Sequence, residues 1–241
     1  MKKIFFVVLS TLIVASIFAQ DQPKQEAKKK PSLVNRANDH LLLQFGYTGW
    51  ASIPDSINTK GFPRTFNAYF LFDFPFKSNP KISVAIGVGV GTDNMFFDKT
   101  YVGIKDITPT LEFHDQSDTT HFKKNKLGTA YIEAPLELRF SSRPENPNKS
   151  FKVALGLKGG ILMGAHIKQK TQENSHGATL NPYMAKEFSK RFFNSNRFAG
   201  TVRIGYGVFS VFGTYQINSL FKTGLGPDVR PWTVGLTLSG L

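Results

Sequence analysis

The chain has 241 residues, with 30 Lys or Arg against 17 Asp or Glu, a net charge of +13 and no cysteine. That excludes a disulfide framework, a thiolate metal site and a lipid-modified N-terminal cysteine. Phe supplies 23 residues against 7 Tyr and 2 Trp, and near-neutral hydropathy argues against a bundle of membrane helices.

Lys2 and Lys3 precede an apolar run from Ile4 to Val14, followed by Ala15-Ser16-Ile17-Phe18-Ala19-Gln20. The order of charge, apolar run and small residues predicts a secretory signal peptide over 1–19. An N-terminal anchor is the alternative, but the run falls short of the roughly 20 residues that a helical span needs. A chain cut after Ala19 keeps 28 basic and 17 acidic residues, a charge of +11. Gln20–Asn38 is rich in Lys, Gln and Pro and nearly lacks large apolar side chains. It cannot bury a core and reads as a disordered basic periplasmic leader over 20–38. Export sets aside a nucleic-acid partner for this basic tail.

From residue 39 onward the dominant pattern is alternation with period two. A strand sends successive side chains to opposite faces. Strand one is expected over His40–Gly49, with Leu41, Leu43, Phe45 and Tyr47 on one face. Strand two, Arg64–Phe76, sets Phe66, Phe70, Phe72, Phe74 and Phe76 on one face and Thr65, Asn67, Tyr69 and Asp73 on the other. Strand three, Lys81–Gly91, alternates Ile82, Val84, Ile86, Val88 and Val90 with Ser83, Ala85, Gly87, Gly89 and Gly91. Branched aliphatics on one face suit lipid, and a nearly bare second face suits a crowded barrel interior. Thr92–Lys126 reads as a long polar segment.

Strand four is expected over Leu127–Phe140, strand five over Phe151–Ile167 and strand six over Phe198–Gly205. Strand seven follows over Val208–Asn218, after a tight turn at Gly205-Tyr206-Gly207, and strand eight over Pro231–Gly240. Inward positions include Glu133, Glu137, Arg139, Lys152, Lys158, His166, Arg203 and Ser210. Between strands five and six, Lys168–Arg197 reads as an insertion in which Asn181-Pro182 starts a short helix, with Met184, Phe188 and Phe192 on one stripe. Short turns follow strands two, four and six, and long loops follow the odd strands. That asymmetry fits an outer-membrane barrel with short periplasmic turns and long extracellular loops. The expected fold is all-β, an eight-stranded antiparallel up-and-down transmembrane β-barrel over 39–241. Trp50 and Trp232 then fall at the extracellular rim, where interfacial aromatics belong.

Three stretches carry a resemblance: Leu127-Gly128-Thr129-Ala130-Tyr131-Ile132-Glu133-Ala134-Pro135-Leu136, Gly156-Leu157-Lys158-Gly159-Gly160, and Arg203-Ile204-Gly205-Tyr206-Gly207. With the closing stretch from Tyr215 through Arg230-Pro231-Trp232 to Leu236, they make the chain similar to the PorT-like outer-membrane β-barrel domain of Bacteroidetes-type bacteria. The resemblance covers most of Asp39–Leu241 and includes no catalytic residue. One branch of that family is linked to type IX protein secretion, so the resemblance implies envelope or secretion-system proteins as partners.

Four groups of residues could carry chemistry. Asp73, Glu133, Glu137, Arg139, Lys152, Lys158 and Arg203 point into a lumen too narrow for much water, so they are expected to pair and plug it; a transport path is the alternative. If Phe140 lies opposite Phe151, Glu133 lies opposite Lys158. His114, Asp115, Asp118 and His121 share a loop but match no standard metal spacing. His166 and Ser210 fit no hydrolase motif, so no enzyme and no cofactor is expected. Lys186, Lys190 and Arg191 sit in a cationic, aromatic insertion that could hold lipopolysaccharide phosphates; solvated charge is the alternative. The function expected is that of an integral outer-membrane barrel in a structural, binding or secretion-accessory role. A small-solute channel and a lipid-modifying enzyme are the runners-up.

Overall fold

The structure is a computed structural model that describes residues 40–240; the signal peptide and leader expected over 1–38 lie outside them. Eleven strands run in chain order: β1 (Leu41–Ala51), β2 (Arg64–Pro75), β3 (Ile82–Phe97), β4 (Thr100–Val102), β5 (Phe113–Asp115), β6 (His121–Ser141), β7 (Phe151–Glu173), β8 (Thr179–Phe188), β9 (Asn196–Tyr206), β10 (Phe209–Gln216) and β11 (Arg230–Ser239). Among the described residues no helix is long and apolar enough to cross a membrane.

Nine strands form one antiparallel sheet in the order β6-β3-β2-β1-β11-β10-β9-β7-β8, and β6 pairs with β7 to close it into a ring. β1 pairs with β11 from Leu42↔Ser239 to Ala51↔Arg230. β9 pairs with the lower half of β7, Phe151 to Ile161. β8 takes the same side of β7 higher up, from His166 to Glu173. β4 and β5 form a separate two-stranded hairpin.

The period-two pattern sets the two faces. Phe70, Phe72, Phe74, Ile86, Val88, Val90, Leu136, Leu138, Leu155, Leu157, Ile204 and Leu236 are all exposed, while Ala85, Tyr69, Glu133 and Thr237 behind them are buried. This is a soluble fold turned inside out. A continuous apolar belt of this size is an aggregation hazard in water and an ordinary surface in hydrocarbon. Aromatic rings edge the belt at both ends. Phe198, Tyr215, Trp232 and Tyr47 line the upper edge, with Tyr47 and Trp232 ring centroids 5.7 Å apart. Phe74, Phe140, Phe151, Tyr206 and Phe209 line the lower edge.

Several sequence expectations are corrected. β3, β6 and β7 run beyond the expected bounds, so much of the "polar segment" over 92–126 is strand. The helix expected from Asn181-Pro182 is the edge strand β8. Positions i and i+4 share a face in a strand as well as in a helix, so the Met184–Phe188 spacing fits both; an edge strand also tolerates proline. A register shift between Ala130 and Tyr131, opposite Gly164 and Leu162, puts a bulge in β7. Beyond it the parity flips. Ala165 and Ile167 are buried, and His166 lies on the outward face against Phe188, with ring centroids 5.6 Å apart. Trp50 turns inward, packing on Phe97 and Phe221 at 5.6 and 5.9 Å, while Trp232 stays outside. The tight turn is Gly207-Val208, between Tyr206 and Phe209, with Gly207 at a φ of 61°. That left-handed value suits glycine.

The belt gives a direct test. Ile86→Arg places a charge near mid-belt and should cost about 2–4 kcal/mol in a bilayer. Ile107→Arg, at a loop residue 98% exposed, should be neutral. Urea titration of protein refolded into phosphatidylcholine vesicles measures both, and equal tolerance would place the hydrocarbon elsewhere.

Candidate functional site

The interior has two parts of opposite chemistry. At the long-loop end, Ile57, Val102, Ile104, Leu111, Phe192, Phe193, Leu220, Phe221 and Val229 come from loops and the small hairpin. They pack on the wall residues Met95, Phe97, Leu127, Tyr131 and Leu162, with Trp50 against them. Backbone hydrogen bonds sew the loops together: Leu111 N to Leu225 O at 2.7 Å, Lys222 N to Phe192 O at 2.9 Å and Asn194 N to Leu220 O at 3.0 Å. The Asn194 amide also donates to the carbonyls of Ser219 and Phe221, at 2.7 and 2.8 Å. Together these form an apolar cap across the mouth. The gap beneath it, lined by Thr48, Trp50, Asp93 and Leu127 among others, has a volume of about 10 Å³, room for about one water.

Below the cap lies a charge network in two layers. In the upper one, Glu133 on β6 meets Lys158 on β7 at 3.1 Å and Arg197 on β9 at 3.2 Å. Arg197 also reaches Asp93 on β3 at 2.8 Å. The Tyr69 hydroxyl donates to Glu133, and the Lys158 ammonium donates to the Tyr69 oxygen at 3.2 Å. The Arg197 guanidinium lies 4.8 Å from the Tyr131 ring, joining the network to the cap. In the lower layer, Glu137 accepts from Arg139 at 2.8 Å and from Arg203 at 3.0 Å. Asp73 accepts from Ser83 at 2.7 Å, and Arg139 stands 3.8 Å from it. Lys152 is buried on the same inward face. The two signs alternate, as charges shielded from water require.

Glycine makes room for this network. Glu133 is opposite Gly89 on β3 and Gly160 on β7. A Cβ at Gly91 would come 2.8 Å from the Glu133 carboxylate, and one at Gly89 would come 2.5 Å from the Tyr69 ring. The bare face of β3 is the space into which the carboxylate and the phenol fold.

Glu133 and Lys158 meet, though not in the expected register. Phe140 lies opposite Val153 rather than Phe151, a register shift of two residues, and Lys158 lies opposite Pro135. The long side chain covers the offset. Arg203 goes to Glu137. Asp93 and Arg197 are additions that the sequence reading left in loops. Asp93 continues the inward odd parity of β3 and Arg197 that of Arg203, and each lay just past an expected strand boundary.

The remaining candidates separate. Ser210 is buried inside while His166 is on the outer face, so they share no site. His114 lies 2.8 Å from Glu112, and Asp115 accepts from Ser117, backbone and hydroxyl, at 2.9 and 2.5 Å. Those two bonds hold the Asp115 carboxyl below its ordinary range. Among the described residues no three metal-ligating side chains converge. Lys186 is on β8, but Arg191 donates to the carbonyls of Asp106 and Thr108, at 3.2 and 2.9 Å, tying two loops. Lys190 lies outside β8, in the loop that follows it.

A family model described as outer membrane protein beta-barrel domain matches residues 18–236. No curated protein matches the chain.

The network predicts coupled energetics. Glu133→Gln leaves Lys158 and Arg197 short of a counter-charge and should cost about 3–5 kcal/mol. In a double-mutant cycle with Lys158→Met the two effects should fall short of additivity by about 0.5–3 kcal/mol. Additive losses would mean that the contact carries no coupling.

Proposed function

The chain belongs to the outer membrane protein β-barrel domain family, and from that premise we propose that it serves as a closed, non-conducting barrel in a structural, binding or secretion-accessory role. It is an integral outer-membrane β-barrel protein. In the proposed arrangement eight strands cross the bilayer up and down, and β8 stands above it on the long-loop side, facing outward from the cell. The observation that carries the closed reading is the interior itself: an apolar cap seals one mouth, and paired charges fill the lumen below.

A channel needs a continuous wet path, and the cap and network leave little room for one. An enzyme needs a nucleophile beside its base, and Ser210 and His166 lie on opposite sides of the wall. We therefore propose a non-enzymatic role without a cofactor. Similarity of the 127–136 and 203–207 stretches to PorT-like barrels supports envelope or secretion-system proteins as partners.

Two measurements test this. A closed ring resists SDS until boiled, so unboiled and boiled samples should run as different bands. In planar bilayers the protein should show no stable conductance. Steady ohmic steps from the folded protein would favour the small-solute channel, and a single band recovered in the soluble fraction would sink the membrane role.

A further inference from the structure

Above the apolar belt, the outward faces of β2, β6, β7 and β8 carry a row of cations set by strand register. Lys126 lies opposite Lys168, and Lys168 lies opposite Lys186. On the other side Lys126 faces Phe96, and its ammonium donates to Asn94 Oδ1 at 2.8 Å. Asn94 in turn lies opposite Arg64. Lys168, Arg64 and Lys186 are charged neighbours of Lys126, and all are cations. One level higher Lys124 faces Lys170.

Like charges directly opposite across strands destabilise a sheet, and among the described residues no carboxylate of the wall relieves these. Glu173 is engaged with Lys123 at 3.0 Å. Glu187 alternates to the other face of β8, where its charge acts on Tyr101. Aromatic rings interleave with the cations: Arg64 lies 5.4 Å from the Phe96 ring centroid and Lys186 lies 4.6 Å from that of Phe188.

The height of the row identifies what it meets. On β6 the outward positions run from Ile132 and Ala130 through Gly128 to Lys126, and on β7 from Met163 through His166 to Lys168. The row therefore stands just past the belt, at the level of lipid headgroups. Lysine stems lie along apolar surface and deliver their ammonium groups to that interface. The rings beside them suit the boundary between acyl chains and polar heads.

We propose that Arg64, Lys126, Lys168 and Lys186 bind the phosphate groups of a lipopolysaccharide molecule in the outer leaflet. Phosphate oxygens accept charge-assisted hydrogen bonds from such a row and supply the counter-charge that the sheet lacks. This rests on the membrane placement proposed above, with the long-loop end outward. The sequence reading had sought these contacts at Lys186, Lys190 and Arg191. The proposed site shares Lys186 with that set and takes its other three residues from β2, β6 and β7.

Binding of lipid A to the full chain in detergent, followed by native mass spectrometry, tests the site. Wild type should hold bisphosphorylated lipid A about tenfold more tightly than dephosphorylated lipid A. K126Q/K168Q/K186Q should lose about tenfold of that affinity, whereas K77Q/K81Q/K149Q, with the same charge removed at the short-turn end, should keep it. Lys186→Gln alone, on an exposed edge strand, should show part of the loss even if the triple variant folds poorly. Unchanged affinity in the triple variant, or equal loss in the short-turn control, would overturn the site. Displacement of lipid A by millimolar inorganic phosphate would reassign it to a free anion. The gel shift on boiling, measured on every variant, reports the barrel separately, so loss of the site and loss of the membrane fold are distinguishable.

Discussion

In hydrocarbon, backbone N–H and C=O groups have no water to turn to, so each must find a partner within the chain. The ladders between β1 and β11 and between β6 and β7 meet that demand by leaving the ring no edge within the belt. Closure with about eight strands fixes the width of the lumen, and the rest of the interior follows from that width. Large side chains fit only where a neighbour is bare, as Tyr69 does over Gly89. Charges fit only where an opposite charge is in reach. Glu133 has three strands contributing its partners: Tyr69 from β2, Lys158 from β7 and Arg197 from β9.

The cap obeys a different rule. Its loops leave the belt and gather where water is available, so they bury apolar side chains as a soluble domain does. One chain thus holds two cores, a charged one beneath and an apolar one above. Tyr131 and Arg197 mark the seam, with an aromatic face of the upper core resting on a guanidinium of the lower. Gly226 belongs to the same economy of space, since a Cβ there would come 3.0 Å from Phe221 at the heart of the cap.

The wall was legible because its signal is local. Ile82 to Gly91 states both faces in ten residues, and the same parity located Glu137, Arg139, Lys158 and Arg203 on the inner side. What escaped depends on contacts between distant segments. The bulge opposite Ala130 reverses parity and moved His166 outside, and Gly164 beside it is one of several glycines in this strand, so it does not single out the place. Asp93 and Arg197 sit where strands outlast their hydrophobic pattern, because the wall above the belt no longer needs aliphatic residues outside. β8 was missed because Met184 and Phe188, four apart, share a face in either secondary structure. Trp50 was misplaced because parity was set aside for a generic preference; as an even-numbered residue of β1 it had to point inward.

The pairing of β1 with β11 has a consequence in time. Leu42 and Ser239 stand at opposite ends of the described chain, yet they are partners. Until the last strand arrives, every partial barrel carries two raw edges, and each is a template for joining a foreign strand. Contacts between segments so far apart form late and slowly. The order of synthesis therefore cannot be the order of assembly: the first strand made must wait for the last, and the chain has to be kept apart from its own copies until that final meeting takes place.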